Sequence, residues 1–135
     1  MSLVIAILGS TVAWFLTAAV LFFNPPVDKA YNTEPVHPSV KVLPKSGSTI
    51  GKILAAVFLQ CALWACVYTM VKPALGESAL HRGLVFAGIL TVVKLIPRDA
   101  DRILLTTYPM RRMIIEFING AICAVVVGLV FGYLL

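Results

Sequence analysis

One charged stretch between two apolar runs holds the residues in this sequence that could do chemistry. Residues 94–117, KLIPRDADRILLTTYPMRRMIIEF, carry five basic and three acidic side chains. Charged groups inside a membrane normally pair with one another or face a water-filled cavity, because hydrocarbon solvates them poorly. The first question is therefore whether these charges occupy a loop in water or lie within the membrane.

Two interpretations of the stretch differ in what happens at Pro97. A helix that ends there, covering residues 83–96, would span only about 21 Å. That is short of the ~30 Å thickness of the hydrocarbon core. A helix that continues through Pro97 to Tyr108 would span about 39 Å, and membrane helices tolerate proline when neighbouring groups satisfy the freed carbonyl. We favour the continuous helix, with an interfacial loop at 98–107 as the alternative.

A tight turn near Pro109 would bring charges on two helices to the same depth. Arg102 and Glu116 each lie seven residues from that proline. Glu116 then has two candidate partners, Arg102 across the turn and Arg112 four residues earlier on its own helix. Spacings of three and four residues place further charges beside Arg102, and the predicted cluster is Lys94, Arg98, Asp101, Arg102, Arg112 and Glu116. It could serve as a structural ion pair, or as a site for a ligand headgroup or a proton.

The rest of the composition is typical of an integral membrane protein. The chain has 135 residues, of which 60% are hydrophobic and only 13% charged, and its mean hydropathy is +0.96. We predict an all-α fold, a single domain in which four transmembrane helices form an up-down bundle. The expected helices cover residues 3–23, 51–72, 80–108 and 111–135.

The first connection, residues 24–50, contains five prolines. Proline fixes φ and removes a backbone donor, so we expect an extended, irregular cytoplasmic loop. Ser48 or Thr49 is the expected cap of the helix that follows.

Lys and Arg are concentrated in two of the three connections. Only Lys72 and Arg82 belong to the second connection, whereas the first and third hold or adjoin Lys29, Lys41, Lys45, Lys52, Arg111 and Arg112. Basic residues accumulate on the cytoplasmic side of membrane proteins, which predicts a bacterial inner-membrane protein with both termini outside the cytoplasm. The same excess predicts contact with anionic lipid headgroups and no nucleic-acid partner.

Small residues recur every four positions along the last helix. After Glu116 come Gly120, Ala124, Gly128 and Gly132. Small residues let membrane helices approach closely, so this stripe predicts tight packing, either within the bundle or between two copies of the chain.

Three segments resemble a known family in order and spacing. VVKLIP, TTYPMRRMIIEFINGA and VVVGLVFGYL are similar to small bacterial four-helix membrane proteins classed as domain of unknown function 1761. The resemblance covers most of the chain and implies a third helix that contains a proline and ends in a basic turn. This sequence departs from the pattern at LFFNPPVDKAY and in the charges of RDADR. No activity is established for this family, so the resemblance implies none.

No catalytic constellation is evident, so we predict that the chain is not an enzyme and needs no cofactor. We interpret His81 as an interfacial histidine rather than a haem or pigment ligand. The predicted function is an accessory or structural subunit that packs in the bilayer against a larger membrane complex or a second copy of itself. The alternative is a small transporter or lipid-binding protein that uses Arg98, Asp101, Arg102 and Glu116.

Overall fold

The structure, a computed structural model, describes residues 2–32, 38, 44 and 46–135. Regular secondary structure in these residues is helical throughout. A 3-10 turn, Lys72–Ala74, extends the third helix, and a π turn, Thr91–Leu95, joins the fourth to the fifth. The six α-helices are α1 (Leu3–Phe22), α2 (Pro25–Asn32), α3 (Gly47–Val71), α4 (Ala79–Leu90), α5 (Ile96–Leu105) and α6 (Met110–Leu134).

Four helical segments in the described part of the chain are long and apolar enough to cross a membrane. They are α1, α3 with its 3-10 turn, the continuous segment Ala79–Leu105 that comprises α4, the π turn and α5, and α6. The prediction of an all-α chain with four candidate transmembrane helices is confirmed at this level.

The third span passes through Pro97, so the interpretation of 98–107 as a loop is wrong. A proline ring clashes with the carbonyl four residues before it and cannot donate a hydrogen bond. Here the wide π turn, Thr91–Leu95, precedes Pro97, and the proline falls in the first turn of α5. The helix ends at Leu105 rather than at Tyr108, because Thr106 adopts an extended backbone with φ −136° and ψ 164°.

The expectation of an irregular first connection is wrong at both of its ends. Pro25 and Pro26 begin helix α2, where proline is tolerated because N–H groups in the first turn have no partner in the helix. Helix α3 begins at Gly47, and its cap is Ser46, whose hydroxyl accepts from the Thr49 N–H at 3.3 Å. Residues 33–37, 39–43 and 45 of the predicted loop lie outside the described residues.

An aromatic core forms where α3, α4 and α6 meet. Tyr68 lies with its ring centroid 5.1 Å from that of Phe86 and 5.7 Å from that of Phe131, and all three are fully buried. The edge-on contact of Tyr68 with Phe86 and its tilted contact with Phe131 add to the stabilisation from burial. This core fixes how α4 and α6 approach each other.

Helix α6 packs against α4 through its small-residue stripe. A Cβ atom added at Gly128 would collide with the carbonyl oxygen of Gly83, and one at Gly132 with that of Ala79. Ala124 is buried, and a Cβ at Gly120 would lie 3.0 Å from Leu95 Cδ2. The stripe is therefore used inside the chain.

Candidate functional site

Glu116 lies at the centre of a polar cluster where α2, α5 and α6 meet. Its carboxylate accepts a hydrogen bond from Arg102 Nη1 at 2.6 Å and one from the Tyr31 hydroxyl at 3.1 Å. The Tyr108 hydroxyl donates a third, and the Arg102 guanidinium lies 4.5 Å from the Tyr108 ring centroid. Of the two candidate partners, the structure brings Arg102 to Glu116, across the turn at residues 106–109.

The two tyrosines of this cluster are held in their neutral form. Burial and the hydrogen bond to Glu116 raise the pKa of Tyr108 to about 12. Burial and the charge of Glu116 raise the pKa of Tyr31 well above its ordinary value. Both groups therefore remain protonated at physiological pH and can donate to the carboxylate.

The second acidic member of the cluster is Asp99, and the assignment of Asp101 to this cluster is wrong. Asp99 is buried and accepts from Arg98 Nε at 2.8 Å and Nη2 at 3.2 Å, while Arg102 Nη1 lies 3.6 Å away. Asp101 is exposed, and no ion pair links it to another described residue. The face of the segment Ala79–Leu105 that meets α6 passes through Leu95, Asp99 and Arg102, which leaves Asp101 on the outside.

Arg112 is buried but contacts a different partner from the predicted one. Its Nη2 donates to the Tyr31 carbonyl oxygen at 2.8 Å, and its guanidinium lies 4.7 Å from the Tyr31 ring centroid. It forms no ion pair with Glu116. Arg112 thus joins α2 to the start of α6.

A cavity of about 320 Å³ lies beside the cluster, lined by residues of α1, α2, α3, α6 and the continuous third span. The polar part of its lining comprises Lys94, Arg98, Glu116 and Asn119. Both tryptophans of the chain, Trp14 and Trp64, lie on its wall. Cavities of this size, mostly apolar with a few convergent polar groups, are typical of ligand sites.

Lys94 places a positive charge well inside a candidate membrane span. It belongs to the π turn and lies about 16 Å from the Leu105 end of its helix at normal helical rise. Its ammonium donates to Gln60 Oε1 and lies 4.5 Å from the Trp64 ring centroid. No carboxylate of the described residues comes within ion-pairing distance of it. Its charge is therefore solvated by an amide and an aromatic ring rather than balanced.

Asn119 supplies an unused donor to the same cavity. Its side chain is only 5% exposed, yet its Nδ2 has no hydrogen-bond partner among the described residues. A buried amide without a partner costs about 1–3 kcal/mol. An acceptor in the cavity would satisfy this donor and at the same time balance Lys94.

Sequence reasoning missed four members of this region: Tyr31, Asp99, Tyr108 and Asn119. Asn119 lies three residues after Glu116 on one face of α6, and Asp99 lies three before Arg102, so spacing was a usable signal for both. The two tyrosines depend on how α2 and the 106–109 turn fold back, which spacing along a helix does not specify.

Among the described residues, no group of three His, Cys, Asp or Glu side chains is placed to hold a metal ion. No protein-family model, curated protein or solved structure matches this chain. The resemblance to domain of unknown function 1761 therefore stays a prediction.

Proposed function

We propose that this chain is an integral membrane protein that binds a small anionic group in the cavity between its helices. The observation that carries the proposal is that two groups line the same cavity: the Lys94 ammonium, which no carboxylate of the described residues balances, and the Asn119 Nδ2 donor, which has no hydrogen-bond partner among them. Ionisable groups within membrane spans are rare and usually functional. The proposal requires binding and no chemical step.

The charges around the cavity favour an anion over a cation. Glu116 is already bonded to Arg102 and two tyrosines, so it has little capacity left for a cationic ligand. Arg98 uses Nε and Nη2 for Asp99, which leaves further N–H donors of its five. Lys94 and Arg98 can therefore contact one phosphate or carboxylate from the same helix.

The alternative is an accessory subunit without a ligand of its own, packed against a larger membrane complex. Its motivation is the small size of the chain, the small-residue stripes and the lack of an evident catalytic constellation in the sequence. Of these, the stripe of α6 is used inside the chain at Gly128 and Gly132. Purification distinguishes the two functions. An accessory subunit is expected to leave the membrane together with its partner, whereas a ligand-binding protein is expected to leave it alone.

We further propose an up-down arrangement with the basic connections in the cytoplasm of a bacterium and both termini outside. In support, Lys72 at the end of α3 donates to the Leu135 carbonyl, and Leu134 lies against Gly9 near the start of α1. Fusions of alkaline phosphatase and of a fluorescent protein to the C-terminus test it. A fluorescent fusion without phosphatase activity in its counterpart would reject this orientation.

The anion proposal is tested with inorganic phosphate on the purified chain in a neutral detergent. Trp14 and Trp64 both lie on the cavity, so their fluorescence follows the site during thermal unfolding. Phosphate should raise the melting temperature, with a stabilisation that grows logarithmically with its concentration and reaches about 2.7 kcal/mol at a hundredfold excess over Kd. Chloride at equal ionic strength should not.

Three variants make the measurement specific. Lys94→Gln should abolish the response, whereas Lys52→Gln, which removes the same charge at an exposed position of α3, should keep it. Asn119→Leu should weaken phosphate binding without lowering the stability of the free protein, because it removes a donor that has no partner. A phosphate response equal in the wild type and Lys94→Gln would contradict the proposal.

A further inference from the structure

An apolar groove lies next to the cavity that holds Lys94, and two residues line both spaces. The groove, about 480 Å³, is formed by α1 and the first part of α3, and residues such as Phe15, Ala19 and Ile53 line it. Trp14 and Phe22 line both the groove and the cavity. A molecule could therefore occupy the two spaces at once, with its polar part on one side of these rings and its apolar part on the other.

The groove is on the surface that a bilayer would cover. Ile50 and Ile53 are 54% and 41% exposed, and Phe23 is 81% exposed. The helices α1 and α3 pack closely elsewhere, where Ala6 and Ala65 are fully buried in the common core. A second groove between the same two helices shares no lining residue with the cavity that holds Lys94. The present groove shares two, and it leads from the outer surface towards that cavity.

We propose that the bound anion is the phosphate of an anionic phospholipid, with one acyl chain lying in the groove between α1 and α3. The inference rests on the proposed anion site and adds the class of its ligand. A phosphate offers several acceptor oxygens, which suit the three donors that line this cavity, the ammonium of Lys94, the guanidinium of Arg98 and the amide of Asn119. The acyl chain packs against Ala19 and the aromatic rings, where van der Waals contact rather than transfer from water stabilises it, because the surrounding bilayer is equally apolar.

The test measures quenching of the two cavity tryptophans by brominated lipid in nanodiscs that contain the full chain. One preparation holds a small fraction of dibrominated phosphatidylglycerol in unlabelled phosphatidylcholine, and the other holds the same fraction of dibrominated phosphatidylcholine. Lipids that merely surround the protein quench equally in both. We expect at least twofold more quenching by the anionic lipid.

Two variants test the head and the chain separately. Lys94→Gln should remove the excess quenching by removing the charge that recognises phosphate. Ala19→Phe should remove it by filling the groove, whereas Ala56→Phe, at an exposed alanine of α3 that does not line the groove, should retain it. Excess quenching that survives Ala19→Phe would overturn the placement of the chain and leave the anion site intact.

The remaining outcomes separate this inference from the proposed function. A wild type that responds to soluble phosphate but shows no excess quenching binds a free anion, and the lipid is then rejected. Excess quenching by dibrominated stearate and not by the phospholipid would identify a carboxylate ligand and also reject it. If Ala19→Phe instead changes the mass of the detergent-solubilised particle measured by light scattering, a second copy occupies the groove. A protein without either response would refute both proposals.

Discussion

Towards the end of α6, Gly128 and Gly132 bring that helix against the backbone of α4, whereas towards its start Glu116 and Asn119 face a cavity. Both regions lie along one stripe of α6, which runs through Glu116 and the small residues that follow it at every fourth position. Because four residues turn an α-helix by about 400°, this stripe winds around α6 and its two ends face different neighbours. At the glycine end the neighbouring backbone fills all the space next to α6. At the polar end long side chains keep the helices apart and leave room for a ligand.

The transition between these two regions lies at the π turn, Thr91–Leu95. Leu95 packs against Gly120, and Lys94 beside it reaches the cavity. π turns inside α-helices are frequent at functional sites. Close packing at the glycine end of α6 fixes the helices independently of any ligand. The polar end can therefore hold groups that have no partner among the described residues.

The largest expected effect comes from disturbing the glycine contact. Gly128→Ala places a methyl group against the Gly83 carbonyl oxygen, and rigid backbone cannot yield as a flexible side chain would. We expect a loss of about 3 kcal/mol, the upper part of the usual range for overpacking, measured by thermal unfolding in detergent. Gly88→Ala is the matched control, because a Cβ atom there meets nothing within 4 Å. Equal melting temperatures for the two variants would show that α4 and α6 are not in contact at this position.

A somewhat smaller effect is expected from breaking the ion pair at the polar end. Glu116→Gln leaves Arg102 with only the more distant carboxylate of Asp99, 3.6 Å away, as a charged partner. Removing one member of a buried pair typically costs about 3–5 kcal/mol. Arg102 is still 28% exposed at its side chain, so we expect a value at or below the lower end of that range. The exchanged variant, Arg102→Glu with Glu116→Arg, should recover part of the loss. Full stability of Glu116→Gln alone would mean that the pair contributes nothing to folding.

The two regions also differ in how far the sequence could predict them. The four-residue period of glycines predicts a close helix contact, and equal counts on either side of Pro109 predict the Arg102–Glu116 pair, because both follow from helix geometry alone. Helix geometry alone does not choose between Asp99 and Asp101, since the two lie on opposite sides of Arg102 around α5. Only contact with α6 selects one of them. Helix α2, which delivers Tyr31 to Glu116, was hidden by prolines that usually indicate irregular chain.

The smallest expected effect concerns the titration of Tyr108 at the polar end. Tyr108 lies outside the membrane spans, and burial together with Glu116 raises its pKa to about 12. Because the pKa is raised in the folded state, the stabilisation from this group is fully present below the ordinary tyrosine value of about 10. It is lost as the pH rises through about 12.

The near-ultraviolet absorbance of phenolate, followed in detergent as the pH rises, measures this titration. The step that disappears in Tyr108→Phe belongs to Tyr108, and Tyr133→Phe should leave that step in place. In Glu116→Gln the step should move to lower pH, since the neutral amide no longer opposes the charge of the phenolate and accepts a weaker hydrogen bond. If the midpoint stays where it is in that variant, the raised pKa of Tyr108 comes from burial alone, and the hydrogen bond to Glu116 does not hold the 106–109 turn against α6.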